Sequence, residues 1–478
     1  MSASYEPSGC VKRAIVLVLG DIGHSPRTCH HAYSLASHGV NVELVGYAGS
    51  SPHPKISENE FIKVVHLPSA PKWLNNECVP RILQLALKLV FMLVTLLWTL
   101  IFCTSFKISI LLLQNPPGIP SMLICFLISR LKGASLVVDW HNYSYSMIQQ
   151  SFSKKQVGSF SKICTDIAYS LEGFSGRLAD HNICVSNTMR EDLKDRWEIE
   201  AITLHDKPPL WNFVKTNCKD RHELFHKLFA NFEQYANTLD TLNGPAESTL
   251  FTSFNGAKAR FKEDRPLLLV SSTSWTEDED FGILLDALEE YDKHLEANIE
   301  GAEKTALPRI FCIITGKGPQ KEYYLKQIEQ MQMKSVDIVT AWLSAEDYPR
   351  LLASADIGVS LHTSTSGYDL PMKVVDMFGC GLPVLAKRFQ AIDELVNDPV
   401  NGRLFDTSTQ LCEALIEIAA GFPNNQTLNE LKQQFNSGHR VDWHSQWNAI
   451  LWPIFDVDLE AHEEEYRRWH RFRMTSED

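Results

Sequence analysis

Three stretches place chemically active side chains just beyond short apolar runs. In Asp139-Trp140-His141-Asn142-Tyr143, a carboxylate, an imidazole and an amide follow the strand-like run Leu136–Asp139. Imidazole titrates nearest neutrality, so His141 suits a general base, with Asn142 as an acceptor or phosphate contact beside it. The other reading of His141 is a hydrogen-bonded structural histidine. In GDIGHSPR, Gly20–Arg27, the glycines Gly20 and Gly23 let a group approach the backbone and the start of the next helix. His24 in that turn is a base or a phosphate contact, with Arg27 as a nearby cation. Helix capping with a surface histidine is the alternative. In Ser364–Val384, Pro371 suits a first helical turn, Lys373 lies in it, and Asp376 follows three residues on along the same face. A helix N-terminus attracts a diphosphate, Lys373 can neutralise it, and Asp376 can accept ribose hydroxyls. An ordinary amphipathic helix is the plainer reading.

These residues need a scaffold that gathers strand ends. Ala14–Leu19 (AIVLVL) predicts a buried parallel strand, Arg27–His38 a helix closed by Gly39, and Val40–Gly46 and Lys63–Leu67 further strands. Ile108–Leu113, Leu136–Asp139 and Ile183–Val185 continue the alternation, the last as the final strand of a first domain. Lys215–Glu263 is polar, lacks a strong period and contains a Gly-Pro, so it reads as an insertion. A second alternation follows: Leu267–Val270, a helix at Phe281–Leu288, Ile310–Thr315, Val336–Val339, a helix at Tyr348–Ala353, Ile357–Ser360, a helix at Lys373–Cys380 and Pro383–Ala386. The fold class is α/β, with two doubly wound, Rossmann-like domains facing a central cleft. The expected division is 1–205, a linker and insertion at 206–264, 265–440, and a crossing helix and tail at 441–478. Trp443–Phe455 is helical and aromatic and can return to the first domain; Arg467–Arg473 (RRWHRFR) reads as a solvated end. Neither GxGxxG nor GxxxxGK[ST] occurs, which argues against a dehydrogenase and a P-loop NTPase. The prolines of Asn115–Pro120 fix a rigid loop of structural role.

Lys plus Arg is 45 and Asp plus Glu 58, a net charge of −13, which argues against a duplex nucleic-acid binder, since that needs a basic field. The 11 cysteines form neither CxxC pairs nor zinc-finger spacings, so free thiols in a reducing compartment are expected. The polar first residues carry no secretory signal. One segment departs from the global pattern. Between Lys88 and Lys107 lie 18 uncharged residues, LVFMLVTLLWTLIFCTSF. As a helix they measure about 27 Å, close to a bilayer core. The window Lys72–Lys132 holds six basic residues and one acid, which an anionic membrane surface attracts. A helix between two strands of one sheet must return to that sheet. Leu89–Phe106 is therefore expected to lie in the membrane interface, monotopic, a buried core helix being the alternative.

Taken together, GDIGHSPR, LQNPPGIPS, VVDWHNYSYS, DKPP (Asp206–Pro209), TGKGP (Thr315–Pro319) and GYDLPMKVVDMFGCGLPV resemble the chitobiosyldiphosphodolichol β-mannosyltransferase family, glycosyltransferases of the GT-B fold. The resemblance runs from about Ala14 to Phe455. It implies transfer of mannose from GDP-mannose to dolichyl-diphosphate chitobiose with inversion, forming the first β-1,4-mannose of the N-glycan precursor. It implies His24 or His141 as the base, a metal-independent site that a metal can still stimulate, and no cofactor. It also implies partners: the dolichol-linked lipid, the cytosolic face of the endoplasmic reticulum membrane, and other early mannosyltransferases in a complex. TGKGP is similar to the family's GxGP turn, implying donor contacts from Gly316, Lys317 and Gly318.

Three departures stand out. Tyr368-Asp369 and Asp376 occupy the neighbourhood where many GT-B donor sites carry two glutamates. Ser271–Gly282 (SSTSWTEDEDFG) has acids where many carry a lysine, leaving phosphate binding to Lys373, Lys317 or backbone amides. Many members begin with a spanning helix and this chain shows none, which shifts attachment to Leu89–Phe106 and Met122–Ile128. The rival readings are a GT-B enzyme using another donor or a soluble acceptor, and an inactive GT-B scaffold.

Overall fold

In the computed structural model, the first apolar run forms β1 (Arg13–Asp21), with Ala14–Leu17 wholly buried. The structure describes residues 12–71, 81–153, 159–209, 211, 216–230, 232, 248–254, 258–277, 279–300, 307–364, 366–435, 442–461 and 464. A strand buried on both faces needs no polar alternation when helices cover each side of a parallel sheet. β2 (Asn41–Tyr47), β3 (Ile62–Leu67), β4 (Ile110–Asn115), β5 (Ser135–Trp140), β6 (His181–Cys184) and β7 (Ala201–Thr203) complete that sheet. All pairs are parallel, in the order β3-β2-β1-β4-β5-β6-β7. Ile183–Val185 is thus not the last strand of this unit. β7 has only three half-buried residues, too few to show a pattern in sequence.

The order reverses at β1. Right-handed crossovers then put helix Pro26–Ser37 on one face and helices Arg81–Trp98, Ser121–Lys132 and Ser159–Gly176 on the other. On the first face Val16, Leu44 and Leu112 pack with Ala32 and Leu35, and with Trp443 and Trp447 of helix Trp443–Ile450. One compact unit therefore comprises residues up to Asp206 together with those from Trp443 onward; the other is Lys207–Asp442. Helix Arg81–Trp98 runs on into a wide π-helical turn, Thr99–Cys103. It joins β3 to β4 of one sheet and is a crossover.

In the second unit, helix Cys218–Ala230 precedes a small antiparallel hairpin of β8 (Thr252–Phe254) and β9 (Ala259–Phe261). The segment expected to be an insertion is, where described, part of this unit's core. Phe225, Phe229 and Phe251 pack together with Phe311. The apolar positions 224, 225, 228 and 229 form a helical stripe that the surrounding charges mask. The Gly-Pro in that segment, and Arg467–Arg473, lie outside the described residues.

β10 (Leu267–Ser272), β11 (Ile310–Thr315), β12 (Val336–Ala341), β13 (Ile357–Ser360), β14 (Val384–Lys387) and β15 (Gly402–Phe405) form a second parallel sheet, ordered β12-β11-β10-β13-β14-β15. The order reverses at β10. β15 and the helices Ser408–Ala419 and Gln426–Gln434 extend the unit beyond the elements expected from sequence. Nine cysteines among the described residues are free thiols.

Candidate active site

β1 ends at Asp21, and a short turn, Ile22–His24, leads into helix Pro26–Ser37. Asp21 Oδ1 accepts from Gly23 N at 3.0 Å and Oδ2 from Ser50 N at 2.9 Å. Oδ2 also lies 2.6 Å from His24 Nδ1. The Ser50 amide first, and then the His24 ring, hold the Asp21 carboxyl below its ordinary range. The imidazole is thus aimed through Nδ1 by a carboxylate. Its Nε2 has no hydrogen-bond partner among the described residues, and the side chain is 72% exposed. A carboxylate on one ring nitrogen and an open second nitrogen is the arrangement that makes histidine a base. Gly23 presses on the chain around Ser50, where a Cβ would come within 2.3 Å of the Ser50 carbonyl oxygen. Gly20, expected in the turn, lies inside β1 with ordinary space around it.

Arg27, expected as the cation for a phosphate beside the glycine turn, is instead engaged inside the protein. It is 1% exposed. Its Nε and Nη2 each pair with an Asp139 oxygen at 2.8 Å, and Nη1 donates to Asp206 Oδ1 at 2.9 Å and to the Leu204 carbonyl at 2.8 Å. The helix turns position 27 inward to two buried carboxylates that require a countercharge. Trp447 Nε1, which can only donate, bonds His31 Nδ1 at 3.0 Å. The His31 proton is therefore on Nε2, which donates to Asp139 Oδ2 at 3.1 Å. His141 Nε2 reaches the same oxygen at 2.8 Å. Burial pushes the Asp139 carboxyl up, but the Arg27 guanidinium, His141 and His31 together outweigh it and hold the group well below the carboxylate range. His141, whose side chain is 23% exposed, is therefore oriented by a carboxylate whose charge Arg27 already matches.

Asn142 sits at the start of helix Ser144–Ser153. Its Oδ1 accepts from Tyr143 N at 2.7 Å and its carbonyl from Asn115 Nδ2 at 3.1 Å. Glu172, absent from the residues expected from sequence, completes this corner. Fully buried, it accepts from Ser144 N at 2.7 Å, Tyr145 N at 3.0 Å and Asn115 Nδ2 at 2.9 Å. It clamps the loop after β4 to the loop after β5. Its only signal in sequence is a lone acid in the otherwise uncharged second half of helix Ser159–Gly176.

In the second unit, Gly316 and Gly318 follow β11 and press on the loop after β10. Gly316 has φ +137, and a Cβ there would lie 1.8 Å from the Thr273 carbonyl oxygen. At Gly318 the corresponding distance to the Ser274 oxygen is 1.7 Å. Only glycine fits either position. Lys317, between them, has its Nζ 4.0 Å from the ring centre of the exposed Trp342, which follows β12.

Helix Met372–Gly379 begins after Pro371, which holds the N-cap position rather than the first turn. Lys373 Nζ is ion-paired with Glu279 Oε1. Glu279 Oε2 accepts from Ser274 N at 2.8 Å and from the Thr273 hydroxyl. One of the acids in Ser271–Gly282 thus holds the lysine in place, a partnership that spacing alone does not show across the intervening strands. Asp369 accepts from the Ser364 and Ser366 hydroxyls and lies 3.5 Å from His362 Nε2. It organises its own loop. Asp376 is half-buried; after burial itself, its charge is the next cause raising the Tyr348 phenol. That phenol donates to Ser272 Oγ at 3.1 Å, at the end of β10.

Both units match glycosyltransferase family models. Residues 23–205 match "Glycosyl transferase 4-like domain" and residues 267–420 match "Glycosyl transferases group 1". The chain is 41% identical over 448 residues to the chitobiosyldiphosphodolichol beta-mannosyltransferase of Homo sapiens, covering 93% of this chain and 92% of that one. It is 38% identical over 460 residues to the Arabidopsis thaliana protein named UDP-glycosyltransferase TURAN, covering 92% and 97%. Among solved structures, Anabaena Alr3699/HepE in complex with UDP and glucose aligns with TM-score 0.58 at 15% identity, over 92% of this chain and 98% of that one, a likeness of fold. With two parallel-sheet nucleotide-type units, a glycine turn beside a lysine in the second, and similarity along almost the whole chain, the protein is a GT-B glycosyltransferase and belongs to the chitobiosyldiphosphodolichol beta-mannosyltransferase family.

Proposed function

We propose that the protein moves the mannosyl group of GDP-mannose onto the chitobiosyl unit of dolichyl diphosphate, inverting the anomeric configuration. The observation that carries this reading is 41% identity over 93% of the chain to a mannosyltransferase of that name. In the proposed step, the acceptor hydroxyl gives its proton to His24 Nε2. Its oxygen bonds to the anomeric carbon from the side opposite the diphosphate, and GDP leaves with the electrons of the broken bond. His24 is preferred to His141 on electrostatic grounds. Asp21 faces backbone amides and keeps its charge available to the imidazolium, whereas the Asp139 charge is matched by Arg27.

The donor diphosphate is neutralised by Lys373, Lys317 and the amides of the Gly316–Gly318 turn rather than by a bound metal. Lys373 leaves Glu279 as the phosphate arrives, so Glu279 holds the lysine extended while the site is empty. The protein works at the endoplasmic reticulum membrane, on the side where GDP-mannose is available, held by helix Arg81–Trp98 and the turn after it.

The test is transfer from GDP-mannose to a lipid-diphosphate chitobiose, with the product anomer read by linkage-specific mannosidase digestion. A β-linked product supports the reading. Because one relative carries a UDP-glycosyltransferase name, UDP-glucose is the competitor of choice. Transfer from UDP-glucose and none from GDP-mannose would overturn the donor assignment. Lys373→Ala is expected to raise the KM for GDP-mannose by about tenfold or more, as loss of a charge-assisted hydrogen bond to phosphate does. Gly318→Ala forces the loops after β10 and β11 apart; calorimetric titration with GDP is expected to show binding abolished. Parent-like affinity in that variant would remove the turn from the donor site.

A further inference from the structure

Helices Arg81–Trp98, Ser121–Lys132 and Ser159–Gly176 share one face of the seven-stranded sheet and pack side by side, with the second in the middle. A helical layer on a domain in water turns its polar side outward. Here the outward side is apolar. Val90, Val94, Trp98 and Phe102 recur every four residues along the first helix and its terminal turn, each more than half exposed. Leu127 and Leu131 repeat that spacing on the second helix. Ile163, Ile167, Leu171 and Phe174 form a stripe along the third. Of the eighteen large apolar side chains exposed among the described residues, twelve lie on these helices and the turn Thr99–Cys103. Such clustering marks an interaction surface.

Charge indicates what covers it. The three helices hold five basic residues and two acids; one of each is buried, Lys132 on Thr104 and the Ser105 carbonyl and Glu172 in the clamp described above, leaving four cations against one acid. The whole chain carries −13. An apolar face on helices with a net positive charge, in an otherwise acidic protein, fits an anionic lipid surface. A bilayer span does not fit. The first helix is tied at both ends to one sheet, and its Leu96, Thr99 and Leu100 are buried in the protein.

We propose that the outer faces of all three helices together form a docking surface for an anionic lipid bilayer, with the helices lying along its plane and Ile163, Ile167 and Phe174 among the acyl chains. The proposal rests on the membrane reading above and extends it to the third helix, Ser159–Gly176. The third helix precedes β6 and carries Glu172, so the loops after β4 and β5 are clamped from an element that also touches lipid.

The test is flotation of the full chain with vesicles of phosphatidylcholine, with and without phosphatidylserine, comparing the parent with Ile163→Ser/Ile167→Ser/Phe174→Ser. All three positions are exposed and distant in sequence from the first helix. The parent is expected to float, more so with phosphatidylserine and less as salt rises. The triple variant is expected to lose about tenfold or more in partitioning, while its elution volume and its transfer to a short-chain, water-soluble acceptor stay as in the parent. Parent-like flotation of the variant overturns the proposal. So does a parent that elutes as a dimer and does not float while the variant elutes as a monomer, because the face then belongs to a second copy. Lost flotation in the variant, with no mannose transfer by either protein, upholds the docking surface and sinks the catalytic reading instead.

Discussion

His24→Ala is expected to lower turnover by about 10²–10⁴-fold, the usual contribution of a positioned general base. The KM for GDP-mannose should hardly move, because His24 lies in the first unit and the groups proposed to hold the donor, Lys317 and Lys373, in the second. Asp21→Asn is the informative companion. It keeps the turn's shape and removes the charge that supports the imidazolium, so it should show a smaller kcat loss and a shifted pH profile. Asp21 is held below the carboxylate range by the Ser50 amide and then by His24, and is ionised throughout the neutral range. Its support is therefore constant from mildly acidic to alkaline conditions. His141→Ala should cost less than His24→Ala. A larger loss at His141, measured as single-turnover rate with saturating donor, would reverse the assignment.

Arg27→Ala carries the largest expected effect on stability. It leaves Asp139 and Asp206 buried without their cation, and breaking a buried pair in this way costs about 3–5 kcal/mol. Against a total stability on the order of 5–15 kcal/mol, that is a large fraction of what holds the first unit folded. Urea titration should show an early transition in the variant, with the later one, from the second unit, unchanged. An unshifted melt would mean that the network contributes nothing to the fold. The pH dependence has a defined sign. Asp139 is depressed in the folded state, so its stabilisation is fully present above the ordinary carboxylate pKa. It is lost only as pH falls through the lowered value. Between neutral and mildly acidic pH this group should not move the melt.

The strands were the most legible part of the sequence, because each buried strand is a short continuous run of β-branched and aliphatic residues. Ile310–Thr315 and Ile357–Ser360 stand with the same limits in chain and structure. β7 was not legible, since three half-buried residues leave no period. Helix Cys218–Ala230 was hidden for the opposite reason: its buried stripe is diluted by exposed charge. Among site residues, spacing pointed to His24, His141 and Lys373 as types. It could not show what each touches. Arg27 read as a cation beside the glycine turn because it follows that turn in sequence; only the inward face of its helix and two distant carboxylates make it internal. Glu279 and Glu172 escaped because their partners lie 94 and 28 residues away in the chain. Long-range pairings of this kind are set by topology, which composition and periodicity do not carry.

The segment from Trp443 has a consequence for how the molecule is made. Trp447 donates to His31, and Trp443 lies across the Arg27 guanidinium at 5.2 Å, so the buried charge network beneath β5 is closed by a helix that leaves the ribosome after the whole second unit. Residues up to Asp206 emerge first, yet their unit cannot finish folding until synthesis has passed the second unit and reached that helix. A stop codon shortly after Asp442 would release a second unit that is complete beside a first unit that is not. Alleles truncated there should behave as folding failures, cleared by quality control, rather than as enzymes with a damaged catalytic centre.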